Sequence, residues 1–167
     1  MRHWLLKTEP STFSIDDLRA RGREAWDGVR NYQARNSMRD DMQVGDRVLI
    51  YHSSTDIPAI VGTARVARAA YPDPSAWDPD SAYFDPKSAP EHPRWVMVDV
   101  AFESKFAAPL SLAELRTMPA LGEMVLLRKG MRLSVQPVTP EEFAAVLQRA
   151  QGQSAERPAA KRPAQRS

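Results

Sequence analysis

The 167-residue sequence contains no cysteine. Disulfides and thiolate-bound zinc are therefore excluded, and the fold must be held by its own core. Long apolar runs are missing too. The longest are a few residues, against the ~20 needed to cross a bilayer, and Met1 to Lys7 leaves no room for a signal-peptide apolar region. The expectation is a soluble, intracellular, cytoplasmic protein with no membrane partner. Only 7 glycines are present, and no two stand at GxGxxG or Walker spacing, which argues against dinucleotide and nucleoside-triphosphate enzymes. His3, His52 and His92 show neither HxH nor HExxH spacing. The aspartates between 73 and 85 lack the glycine and terminal glutamate of a calcium loop, so neither metal nor cofactor is expected.

One further absence concerns nucleophilic catalysis. His52-Ser53-Ser54-Thr55-Asp56 holds all three residue types of a serine triad, but neighbours on an extended strand point to opposite faces and no Gly-x-Ser-x-Gly elbow exists. Charge of one sign is scarce as well, with Lys+Arg 23 against Asp+Glu 21. The excess sits at the end. Arg157, Lys161, Arg162 and Arg166 against Glu156 give residues 151–167 a charge of +3, which leaves residues 1–150 at −1. The chain reads as one near-neutral domain, 1–150, followed by a basic tail, 151–167. The tail has no large apolar side chain and is expected to be disordered. Any phosphate affinity of the domain must come from local patches.

What is present is a chain of strands alternating with short, capped helices. Trp4 to Lys7 starts a strand. Ser14 caps a helix through Arg19, with Asp17 at its third position and Gly22 beyond its end. Asn31 caps a second, in which Ala34, Met38 and Met42 form one apolar stripe. Arg47 to His52 reads as a strand buried on both faces. Ile60 to Ala69 alternates, with Thr63 and Arg65 opposite Ile60, Gly62, Ala64 and Val66. In Trp95 to Phe106, Val96, Val98, Val100 and Phe102 oppose Asp99, Glu103 and Lys105. Ser111 with Glu114, and Thr139 with Glu142, mark two more helix starts, and Leu121 to Arg128 is expected to be a helix ended by Gly130. Arg132 to Gln136 alternates again, with Ser134 and Gln136 sharing the polar face. No internal repeat is visible. The sum is an α+β chain, a compact mixed β-barrel of five to six strands with short flanking helices, and a monomer by default.

Tyr71 to Trp95 stands apart. It carries Pro72, Pro74, Pro79, Pro86, Pro90 and Pro93 with the aromatics Tyr71, Trp77, Tyr83, Phe84 and Trp95. A stiff loop of this length is often a binding loop, although some of its rings must pack on the barrel.

Polar groups also stand where a core would be expected. Lys7, Thr8 and Glu9 leave an apolar strand. Trp26 to Asn36 combines two aromatics, three amides and two arginines around a helix start. Ser53 closes a strand, and Ser134 and Gln136 share another. Aromatic faces beside amides suit stacking a flat heterocycle and reading its edge, as extruded or unpaired bases are read. Each has a plainer explanation by itself: Trp26 as core, Asn31 as a helix cap, Gln136 as a network residue.

At these residues the sequence resembles the EVE domain family. The matching stretches are His3 to Pro10, Trp26 to Asn36, Gly45 to Ser53, Tyr71 to Asp73, Asp85 to Ser88, Pro93 to Trp95 and Arg132 to Val138, in family order. The resemblance implies a PUA-like β-barrel related to the YTH, ASCH and PUA domains, with a pocket that accommodates a flipped, modified base. It implies a non-catalytic module whose partner is nucleic acid carrying a modified base, modified cytosine in DNA first and RNA second. By motif position, Trp26 would be the stacking wall. Asn31, Ser53, Ser134 and Gln136 would read base edges, with Tyr32 and Gln33 in the same block. Lys7, Arg35 and Arg30 would meet sugar or phosphate, and Tyr71 with Asp73 would close the rim. The alternative is an ASCH-like hydrolase of modified nucleobases or nucleosides, drawing on Lys7, Thr8 and Glu9.

Overall fold

The computed structural model describes the backbone of residues 1–165 and the side chains of residues 1–152. Six strands form one mixed sheet: β1 (His3–Thr8), β2 (Arg23–Trp26), β3 (Arg47–His52), β4 (Ala59–Pro72), β5 (Val96–Ser111) and β6 (Val135–Val138), in the order β2-β5-β4-β3-β1-β6. β1 runs parallel to β3, with Leu5 beside Leu49, and every other pair is antiparallel. A parallel pair needs a crossover. Here α1 (Ile15–Arg21), β2 and α2 (Tyr32–Asn36) supply it. Among the described residues no ladder joins β2 to β6, so the expected barrel is a six-stranded sheet left open between those strands.

Both faces of this sheet are covered, which explains why β1 and β3 read as continuous apolar runs. Trp4 and Leu6 of β1, with Val48 and Ile50 of β3, point into a core shared with Ile15, Leu18, Trp26, Ala34 and Met38. Leu5, Leu49 and Tyr51 point the other way, into a core with Phe106, Leu110, Leu115, Phe143 and Val146. Each fully buried aliphatic side chain contributes roughly 1.5–3 kcal/mol, so the two cores together hold the sheet. The second is closed by α3 (Leu112–Leu115) and α4 (Pro140–Gln165).

The caps form where the sequence places them. Ser14 and Asp17 make a reciprocal capping box, and Gly22 ends α1 at φ 79°. The Asn31 side chain accepts the Ala34 N–H, and a wider π turn at Ser37–Asp41 carries Met38 into the core. Two expectations need correction. Leu121 to Arg128 is not a helix but two short 3-10 turns, Pro119–Leu121 and Val125–Leu127, which turn Leu121, Met124 and Leu126 inward. β4 and β5 are longer than their alternation suggested, because bulges reset the register and let the ribbon bend. The expected disorder of residues 151–167 concerns a stretch whose side chains, from Gln153 onward, lie outside the described residues.

Candidate nucleic-acid site

At one end of the first core, the exits of β1 and β2 and the approach to β6 leave a cleft of about 440 Å³. That is the size of a site for a small flat ligand. Lys7, Thr8, Glu9, Phe13, Trp26, Asp27 to Arg30, Tyr83 and Ser134 are among the residues that line it.

Trp26 ends β2 opposite Val98 and is 8% exposed. Phe13 meets it edge-on with ring centroids 5.8 Å apart, which fixes the indole plane. The chain then turns away at Gly28, φ 78°. A Cβ there would stand 2.6 Å from the Tyr83 ring, so the absence of a side chain lets the tyrosine lie against the backbone. Asp73 secures the turn. Its carboxylate, with no exposed surface, accepts from the Gly28 N–H at 2.9 Å, Arg30 at 3.1 Å and the Ser75 hydroxyl at 2.6 Å. Burial pushes this carboxyl up, but the hydrogen bonds from Ser75, Gly28 and Arg30 outweigh it and hold it below the usual range. Arg30 also donates to the Tyr83 carbonyl at 2.9 Å. The proline-rich loop is thus fastened to the Trp26 turn at several points.

Six charged residues line this cleft: Lys7, Glu9, Arg21, Glu24, Asp27 and Arg30. Lys7 donates to the Met131 carbonyl at 3.2 Å, and burial lowers its pKa. Asp27 is displaced in the opposite sense: burial first, then the neighbouring Asp73 charge, raises its carboxyl. No other side chain pairs with it among the described residues. Thr8 donates to the Phe13 carbonyl at 2.7 Å.

Of the residues singled out in the sequence, Lys7, Thr8, Glu9, Trp26, Arg30 and Ser134 line the cleft. Asp73 lies beneath it, holding Gly28 and Arg30. Ser53 stands at the end of β3, its N–H on the Thr8 carbonyl. The others lie elsewhere. The Asn31 side chain is committed to its helix cap, and Tyr32 and Gln33 are exposed on α2 outside the cleft. Arg35 donates to the Arg94 carbonyl at 2.9 Å, and Tyr71 bonds Asp99 on β5. Gln136 is 1% exposed; it pairs with Leu5 on the face of the second core and donates to the Leu133 carbonyl, so it does not share an open polar face with Ser134. Phe13, Asp27 and Tyr83 are site residues that sequence reasoning missed. The Asp27-Gly28 step was the available signal for the turn, whereas Tyr83 arrives from 55 residues further on.

His52 forms no triad. Its Nε2 accepts the Ile15 N–H at 3.0 Å, the work of a neutral structural imidazole. No group of three or more candidate metal ligands occurs, and no helix is long and apolar enough to cross a membrane, among the described residues.

The sequence model of the EVE domain matches residues 2–149. The chain belongs to the EVE family. Human thymocyte nuclear protein 1 is 40% identical over 164 residues, 87% of this chain and 72% of that protein. Among solved structures, a hypothetical protein from Leishmania major is 49% identical, with TM-score 0.89 over 92% of this chain and 97% of its own. The human THYN1 protein in complex with 5-methylcytosine-containing DNA is 39% identical, with TM-score 0.84 over 90% of this chain and 98% of its own. An ASCH protein from Zymomonas mobilis, 9% identical at TM-score 0.52, shares the fold alone. The α+β, PUA-like architecture of an EVE domain is therefore the one observed.

Proposed function

We propose that this EVE domain is a non-catalytic reader of DNA that accommodates an extruded, modified cytosine in the Trp26 cleft. The observation that carries the reading is the cleft of about 440 Å³, lined by the Trp26 indole, the Tyr83 ring and the polar side chains of Asp27 and Ser134. The 5-methylcytosine DNA bound by the human relative supports it. Trp26 supplies apolar surface for the base. Asp27 supplies an acceptor for an exocyclic amino group, the edge that distinguishes cytosine from thymine, and the Ser134 hydroxyl can either donate or accept. Lys7 offers its ammonium to the sugar-phosphate side. Extrusion costs a few kcal/mol of stacking and pairing, which the cleft contacts must offset. A fluorescent base analogue placed opposite the modified cytosine reports extrusion directly. The reading expects its emission to rise on binding, and unchanged emission at saturating protein would remove it.

The hydrolase alternative retains one geometric argument, since Lys7, Thr8 and Glu9 all line the cleft. Against it, Thr8 and Lys7 are both committed to backbone carbonyls. Turnover of acylated or alkylated nucleosides at high protein concentration would establish it; none would dismiss it.

A further inference from the structure

A stack of rings and guanidiniums leads from the cleft rim to a second surface. Arg30 lies 5.7 Å from the Tyr83 ring and 5.5 Å from the Trp95 ring. Trp95 is buried and held by its indole N–H on Asp85, and on it stacks Tyr32, centroids 4.7 Å apart and planes 27° from parallel. Tyr32 is 50% exposed. Arg35 is 4.7 Å from the Tyr32 centroid and 5.8 Å from that of Trp95. With the rings themselves 4.7 Å apart, these distances place the guanidinium beside the stacked pair rather than above its outer ring. Arg35 therefore sits at the shared edge of the two rings, and the outer face of Tyr32 stays open. Arg94 donates to the Tyr32 hydroxyl at 3.1 Å, fixing the ring.

Arg35 and Arg94 form no ion pair with a carboxylate among the described residues; their guanidiniums donate instead to neutral acceptors, Arg35 to the Asn36 side-chain oxygen and the Arg94 carbonyl, Arg94 to the Lys87 carbonyl and the Tyr32 hydroxyl. Asp40 and Asp85 feel their fields but do not pair with them. An open aromatic face between two guanidiniums without a carboxylate partner, on a domain of net charge −1 over residues 1–150, is complementary to a nucleobase with its phosphates.

We propose that Tyr32 is a second stacking platform, which takes a nucleotide flanking the extruded base while Arg35 and Arg94 meet the adjoining phosphates of the same DNA strand. This deepens the reader function and rests on it for the position of the first base. The site thereby binds an oligonucleotide more tightly than its modified nucleotide alone, without adding to the choice of modification.

The test compares 5-methyl-dCMP with a single-stranded DNA oligonucleotide carrying one 5-methylcytosine, by calorimetry and fluorescence anisotropy. Tyr32→Ala should weaken the oligonucleotide roughly five- to hundred-fold, the range of one lost stack. It should leave the mononucleotide unchanged and preserve the ratio of modified to unmodified oligonucleotide. Tyr32→Phe keeps the stacking face and loses only the Arg94 hydrogen bond, so it should lose far less than Tyr32→Ala, and Arg94→Gln should weaken the oligonucleotide and reduce the salt slope by about one. Equal losses for mononucleotide and oligonucleotide, or no loss for the oligonucleotide, would overturn the proposal. Failure of the reader function looks different: the parent protein would bind methylated and unmethylated oligonucleotides alike, while the dependence of the Tyr32 effect on length could still be read.

Discussion

The Asp73 carboxylate accepts the Gly28 N–H at 2.9 Å and so ties the proline-rich loop to the turn that lines the cleft. Asp73→Ala would leave that N–H without its acceptor and Arg30, whose side chain is 21% exposed, without its counter-charge. Breaking a buried pair from one side costs about 3–5 kcal/mol, and partial exposure of Arg30 puts the expected loss at the lower end. Urea midpoints at neutral pH measure it. A variant as stable as the parent would show that the loop is held by other contacts.

Acid should loosen the same junction. The folded Asp73 carboxyl is held below the unfolded value of about 4, so its stabilisation is fully present above that pH and disappears as pH falls through the lower folded value. Asp99 and Glu103 are depressed in the same sense: burial opposes the shift, and hydrogen bonds from Tyr71 and Arg23, and from Arg47 and Thr63, overcome it. Stability should decline below about pH 4, and less steeply in Asp73→Asn. Equal slopes for the two proteins would remove Asp73 from the account.

His52 makes a prediction in a different pH window. Burial chiefly lowers its pKa, with Lys105 assisting and Asp16 opposing. Its contribution is therefore present above the unfolded value of about 6.5 and is lost as pH falls through the lower folded value, where protonation removes the acceptor for the Ile15 N–H. Replacement by Gln keeps an acceptor and should flatten the stability profile below about pH 6.5. An unchanged profile would contradict the neutral imidazole.

Gly28 and Tyr83 should be coupled. Gly28→Ala introduces a Cβ where the Tyr83 ring lies and strains a backbone at φ 78°, so it should destabilise by more than about 1 kcal/mol. In a Tyr83→Ala background the clash is gone and only the strain remains. A double-mutant cycle should show the second substitution softening the first, and simple additivity would mean the ring moves aside at no cost.

Much of this fold was legible because its signals are local. The Ser14 and Asn31 caps depend on residues a turn apart and formed as read, whereas Ala34, Met38 and Met42 are all buried but from a five-residue helix, a π turn and an extended residue rather than from one helical stripe. Gln136 was misplaced for a physical reason: alternation assigns Ser134 and Gln136 to one face, but it does not say that this face also carries a core. Leu121 to Arg128 shows the same limit of local pattern, because its apolar side chains are buried from tight turns rather than from one helical stripe. In the site, the Trp26 block announced itself by composition. Tyr83 did not, because its place depends on a hydrogen bond between Asp73 and Gly28 that joins distant parts of the chain.

The reader function is tested most directly by one ratio, the affinity for a DNA oligonucleotide with a single 5-methylcytosine over that for the unmodified strand. It should be measured for the parent and for Trp26→Leu, which keeps apolar volume in the core but removes the aromatic face. Both proteins must first show a cooperative thermal transition. The account predicts a clear preference in the parent, a loss of roughly 1–3 kcal/mol in binding of the methylated strand by the variant, and a ratio near one. A parent with no preference, or a variant that keeps it in full, would contradict the Trp26 cleft as the place where the base is read.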